Sequence, residues 1–141
     1  MIIDANNLIL GRVATVAAKN ALLGEKVEIV NCEKSVVTGN APSIIESYRV
    51  RIKRGIPLKG PFVPRRPDML FKRTIRGMLS HRDYRGKKAY QNIKCYIGVP
   101  ENMKNAKFEK IEEADASKLP NTRYIRLGEI CLSIGYKDNT K

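Results

Sequence analysis

An α/β fold is predicted for this chain, and three observations predict it. Two short runs, MIIDA (1–5) and KVEIVNC (26–32), are apolar and rich in Ile and Val, with no helical period, as buried strands are. Between them, LGRVATVAAKNALLG (10–24) spaces Val13, Ala17 and Ala21 at helical intervals, with Val16 and Leu22 beside them. A third apolar run, IKCYIGV (93–99), supplies a further strand. Strands joined through a helix are most economically parallel. With 141 residues and 43% hydrophobic content, one compact domain spanning 1–141 is expected, burying roughly 70% of its unfolded surface.

The elements follow in order. The first strand ends at Asp4, and the first helix stops at Gly24, where a C-terminal glycine belongs. After the second strand, TGNAPS (38–43) reads as a turn and a helix start. Asn40 is the expected N-cap, and Pro42 is tolerated in a first turn. That helix runs through SIIESYRVRIKR, with Ile44, Ile45, Tyr48 and Ile52 on one side. GIPLKGPFVPRRP (55–67) holds four of the seven prolines, so it is neither helix nor inner strand. A helix is expected over 68–79. On its wheel Phe71, Ile75, Met78 and Leu79 share one arc, and Lys72, Arg73 and Arg76 point away. SHRDYRGKKAYQN (80–92) is basic with two tyrosines, Tyr84 and Tyr90. From Pro100 an irregular wrap of mixed charge is expected. YIRLGEICLSIG (124–135) reads as a short helix closed by Gly135 or as a strand, with helix favoured.

The charge is unevenly placed. Residues 49–88 contain fourteen Lys and Arg against Asp68 and Asp83, a net +12 of the chain's +13. Nine of the fourteen are Arg, whose planar fork suits phosphates and base edges. Membrane-surface helices set bulky apolar residues opposite their cations, and Trp is absent here. Nucleic acid is therefore the expected partner. An ordinary solvated helix face mixes signs and gains i, i+4 ion pairs, but 68–79 has no acid after Asp68. No apolar stretch reaches transmembrane length, and the N-terminus lacks the features of a secretory signal. Cys32, Cys95 and Cys131 are far apart and each lies in an apolar run. They are expected as reduced, buried thiols.

Signatures of catalysis are missing. G-x-G-x-x-G and G-x-x-x-x-G-K-[ST] are absent. His81 is the sole histidine and no C-x-x-C occurs, which disfavours metal sites and hydrolase triads. Asp4, Glu33 and Asp68 have no spacing that suggests paired acid–base work. No enzyme activity, metal, cofactor or small-molecule substrate is expected. The Val37-Thr38-Gly39-Asn40 turn supports two readings: an anion held on free backbone N–H groups, or a tight strand-to-helix turn with glycine at positive φ.

Three blocks carry a resemblance: IDANNLILGRVAT (3–15), IVNCEKSVVTGNA (29–41) and RRPDMLFKRTIRGMLSHRDYRGKKAYQNIKCYIG (65–98). Asp-Ala, Leu-Gly-Arg, Val-Thr-Gly-Asn, Arg-Arg-Pro and Arg-Gly-Met-Leu stand in the order of the L-thirteen family of large-subunit ribosomal proteins. The short N-terminus and the tail resemble the archaeal and eukaryotic branch. The resemblance implies a three-layer α/β/α fold around a mostly parallel four-stranded sheet. It also implies a structural role in the cytoplasmic ribosome: binding large-subunit ribosomal RNA early in assembly, beside neighbouring ribosomal proteins. Carried over by motif, Arg12, Thr38, Gly39, Arg65, Arg66, Arg76 and Lys88 are expected at or near RNA. The charge map supports the last four and adds Arg49, Lys53, Arg54, Lys59, Lys72, Arg73, Arg82, Arg85 and Lys87. Two rivals stand beside this reading. One is a nucleotide-dependent RNA-modifying enzyme on a Rossmann-like core, which the missing glycine fingerprints oppose. The other is a DNA-binding module, which would prefer duplex DNA to structured RNA.

Overall fold

The computed structural model describes residues 1–137; residues 138–141, the end of the expected domain, lie outside the described residues. Strand β1 (Ile2–Asp4), helix α1 (Leu10–Leu22) and strand β2 (Val27–Val30) form the expected β-α-β unit, with β1 and β2 parallel. Gly24 ends α1 at φ 97°, a conformation that glycine adopts without a Cβ penalty. Strand β3 (Val36–Thr38) follows a 3-10 turn at Cys32–Lys34. Helix α2 (Ala41–Lys53) starts at Asn40, as expected, though the Asn40 side chain makes no capping bond. Helix α3 (Pro67–Met78), helix α4 (Tyr84–Gln91) and strand β4 (Ile93–Cys95) come next. Strand β5 (Tyr124–Arg126) runs directly into helix α5 (Leu127–Ser133). The tail therefore holds both alternatives in succession.

The α/β class holds, and the parallel sheet has three strands in the order β1-β2-β4. The place of a fourth strand, on the outer edge of β1, is occupied by a single bridge. Ile3 pairs with Glu109 of the wrap, whose N–H donates to the Ile2 carbonyl at 2.8 Å. The stretch NAKFEK around Glu109 has no β-branched residue, so little favours a longer ladder there. Val36, Val37 and Thr38 instead pair antiparallel with β5 as a separate two-stranded ribbon.

The core is continuous across these pieces. Ile3, Val13, Val27, Ile29, Phe71, Ile75, Ile93, Leu127 and Ile130 are fully buried and belong to one cluster. Helix α1 packs on α3 and α4, and α3 on β4. Helix α5 packs on β5 and α2. The wrap (100–123) contains three 3-10 turns and covers β1 and the start of α1.

One predicted core residue is corrected. Met78 shares the apolar arc of α3 but is 43% exposed, and Leu70 at 4% takes the inward place. Met78 lies in the last turn, where its sulfur sits 3.7 Å from the hydroxyl of exposed Thr15 on α1. Leu79, the next residue, is buried at 5% and joins the core, so the core extends past Met78 and a shared arc does not guarantee burial.

Candidate nucleic-acid interface

The basic segment forms α2, an arm (54–66), α3 and α4. The arm is short of regular structure but not of hydrogen bonds. Ile56 accepts from the Lys59 and Gly60 amides at 3.1 and 2.8 Å, and donates to the Gly60 carbonyl at 3.2 Å. Gly55 permits this closure: its φ is 101°, and a Cβ there would lie 2.3 Å from the Gly60 oxygen. The Gly60–Pro61 bond is cis. The arm then lies along α3, where Arg73 donates through Nη1 to the Phe62 carbonyl at 3.3 Å.

The cations are displayed, not neutralised. Of the fourteen in 49–88, all are exposed except half-buried Lys72. Arg66 is the one that meets a carboxylate among the described residues, reaching both Asp68 oxygens through Nε and Nη2 at 3.2 and 3.0 Å. Asp68 thus closes the N-terminal turn of α3, a place that favours an acid. Lys72 lies over the Tyr90 ring, 4.7 Å from its centroid, and Arg51 over Tyr48 at 5.4 Å. Burial raises the pKa of both phenols, and neighbouring arginines pull the other way.

Three concavities run across this band. Arg49, Lys53 and Arg65 converge at one of about 390 Å³. Arg51, Arg54 and Arg73 border a second of about 510 Å³, between α2, the arm and α3. Lys72, Arg73 and Arg76 border a third of about 470 Å³, floored by Phe62, Met69 and Tyr90. None has a carboxylate in its lining. On α4, Arg85 and Lys88 flank a further hollow beside the 80% exposed ring of Tyr84. Arg82 and Lys87 are exposed alongside, and Lys59 projects from the arm.

The candidates outside the segment are placed differently. Arg12 is exposed, but its Nη1 donates to the Glu113 carbonyl of the wrap. Thr38 is exposed at the end of β3, and the Gly39 N–H donates to the Arg123 carbonyl at 3.0 Å. That N–H is therefore occupied by the ribbon. Gly39 has φ 128°, and a Cβ would press on Ile44 at 3.3 Å. The turn geometry matches the structural reading of Val-Thr-Gly-Asn.

Some of the arrangement was not foreseen. Strand β3 and helix α4 were not anticipated, because VVT is very short and YRGKKAYQ is mostly polar. Arg51 belongs to the charged segment but not to the candidate contacts, although it lines the concavity of about 510 Å³. The free thiols are Cys32 and Cys131, both buried, and half-buried Cys95.

Comparison with known proteins gives consistent matches. The family described as Ribosomal protein L13 matches residues 1–102. A large ribosomal subunit protein uL13 of Methanopyrus kandleri is 44% identical over 96% of this chain and 87% of its own length. That of Archaeoglobus fulgidus is 42% identical over 96% and 88%, and that of Aeropyrum pernix 38% identical over 97% and 90%.

Proposed function

The chain belongs to the ribosomal protein L13 family, a structural, non-enzymatic component of the large ribosomal subunit, and we propose that it is fixed there by large-subunit rRNA lying on its basic band. The observation that carries this reading is the missing counter-charge. Thirteen of fourteen cations between Arg49 and Lys88 have no carboxylate within ion-pair distance among the described residues. So much like charge is unfavourable in isolation and becomes favourable when phosphates displace counterions. Rigid mounting of α3 through Leu70, Phe71 and Ile75 holds Lys72, Arg73 and Arg76 at fixed spacing. Such a surface reads the shape and backbone of folded RNA more than base edges.

The contact set proposed is Arg49, Lys53, Arg54, Lys59, Arg65, Arg66, Lys72, Arg73, Arg76, Arg82, Arg85, Lys87 and Lys88, with Arg12, Thr38 and Gly39 at its margin. Neighbouring large-subunit proteins would meet the faces the RNA leaves free. Binding would come early in assembly, in the cytoplasm, because a preformed basic surface can act on rRNA before later partners arrive.

Two measurements test this. The tagged protein should co-sediment with the large subunit and stay after a high-salt wash. On deproteinised large-subunit rRNA, each phosphate contact should add roughly 0.7–0.9 to the log–log salt slope. Replacing Lys72, Arg73 and Arg76 together by Gln should flatten that slope by about two to three contacts' worth. An unchanged slope would place the α3 face away from RNA.

A further inference from the structure

The cavity between α2, the arm and α3 differs from the rest of the basic band. It is about 510 Å³, within the ~300–1,000 Å³ typical of small-ligand sites. It reaches down to Leu10 and Leu70, which are buried core residues. Arg51, Arg54 and Arg73 stand around it, and Tyr48 with Arg51 over its ring adds a flat wall. Helix α2 has thirteen residues and none fully buried, so this flank of the helix is only partly packed.

We propose that this cavity receives one unstacked nucleotide of the large-subunit rRNA, its base against Val37, Val63 and Leu70 and its phosphates on Arg51, Arg54 and Arg73. The proposal rests on the rRNA-binding reading and adds a base-sized site to it. An apolar protein side chain would fit the walls but would desolvate three guanidinium groups with no carboxylate to meet them, which is costly. A nucleotide brings an aromatic face and its own negative charge in one ligand. The Tyr48–Arg51 pair offers the stacking surface that unpaired bases use.

Gly77 gives the test. It lines the cavity, and a Cβ built on it meets no atom within 4 Å. Gly77→Leu therefore starts its side chain in open space at the cavity wall, and leucine favours helix over glycine. The probe is deproteinised large-subunit rRNA from the source organism, read by affinity and by base-specific chemical probing. With wild-type protein, one unpaired nucleotide should lose reactivity on its base-pairing edge. With Gly77→Leu that protection should vanish and affinity should fall about tenfold, the order expected for one stacked base. Ultraviolet cross-linking of the wild-type complex should join the same nucleotide to Tyr48 or its neighbours in α2, which tests the site even if the variant fails to fold. Unchanged affinity and protection with Gly77→Leu, or cross-links confined to residues outside the cavity, would overturn the proposal while leaving rRNA binding intact. Normal rRNA binding by Gly77→Leu with loss of a neighbouring protein from the subunit would overturn it in favour of a protein side chain. A wild-type protein with no salt-dependent rRNA affinity would remove the rRNA reading itself.

Discussion

Phe71 and Met78 occupy the same arc of α3, yet one is fully buried and the other 43% exposed. Phe71→Ala should destabilise the protein by about 3–5 kcal/mol, as aromatic core truncations do. Met78→Ala should cost about 1 kcal/mol or less, as at exposed sites. Denaturant melts of the two variants check the ranking. The thiols divide in the same way. Burial, reinforced by the charge of Asp68, pushes the Cys131 pKa from 9.0 up to about 12. Cys32 is also pushed up, first by its hydrogen bond with Cys95 and then by burial. At neutral pH, alkylation with iodoacetamide followed by peptide mapping should label Cys95 well before either buried thiol. Because the folded pKa of Cys131 is raised, its contribution to stability is complete below about pH 9. It is lost as the pH rises toward 12.

Elements differ in how firmly they are held. Helix α1 buries six residues, and α2 buries none completely. Amides of α2 should therefore exchange faster than those of α1 in the free protein, and slow when rRNA is bound. Hydrogen exchange with mass-spectrometric readout measures both. The arm is bonded mainly within itself and to Arg73, and Lys59 is exposed at its turn. Trypsin should cut the free protein early after Lys59, while the bond after Arg66 precedes Pro67 and resists. Bound rRNA should protect Lys59. Equal cleavage with and without rRNA would mean that the arm does not dock on it. The period of α1, α2 and α3 was legible because their apolar residues recur at helical spacing. Helix α4 was not, because its packing depends on Gly86 and Ala89, small residues that leave no hydrophobic stripe. A Cβ on Gly86 would lie 2.1 Å from the Ser80 carbonyl oxygen, a close approach that only the assembled structure reveals.

Across the whole molecule the dominant feature is a net charge of +13 concentrated in one band. Crowded like charges oppose the compact state, and salt screens them. The free protein should melt several degrees higher at about 0.3 M salt than at about 0.05 M, where the Debye length is longer. Calorimetry across that range checks it. A polyanion such as heparin should raise the midpoint further, since a ligand that binds only the folded state stabilises it by mass action. A melting point insensitive to both would show that the cations are too far apart to repel one another measurably.

What the sequence determined by itself was local and compositional. The β-α-β start, the helix stop at Gly24, the proline-bound arm and the location of the charge follow from spacing and residue type, which need no knowledge of distant neighbours. The tertiary structure decided the pairings. It joined β3 to β5 across some ninety residues, left the edge of β1 with the single bridge to Glu109, and turned Met78 outward at the end of its helix. It also brought Arg51, Arg54 and Arg73 around one cavity. Each of these depends on contacts between segments remote in the chain. Such contacts are selected by which surfaces fit once the core has closed, and residue spacing along one segment carries no record of that choice.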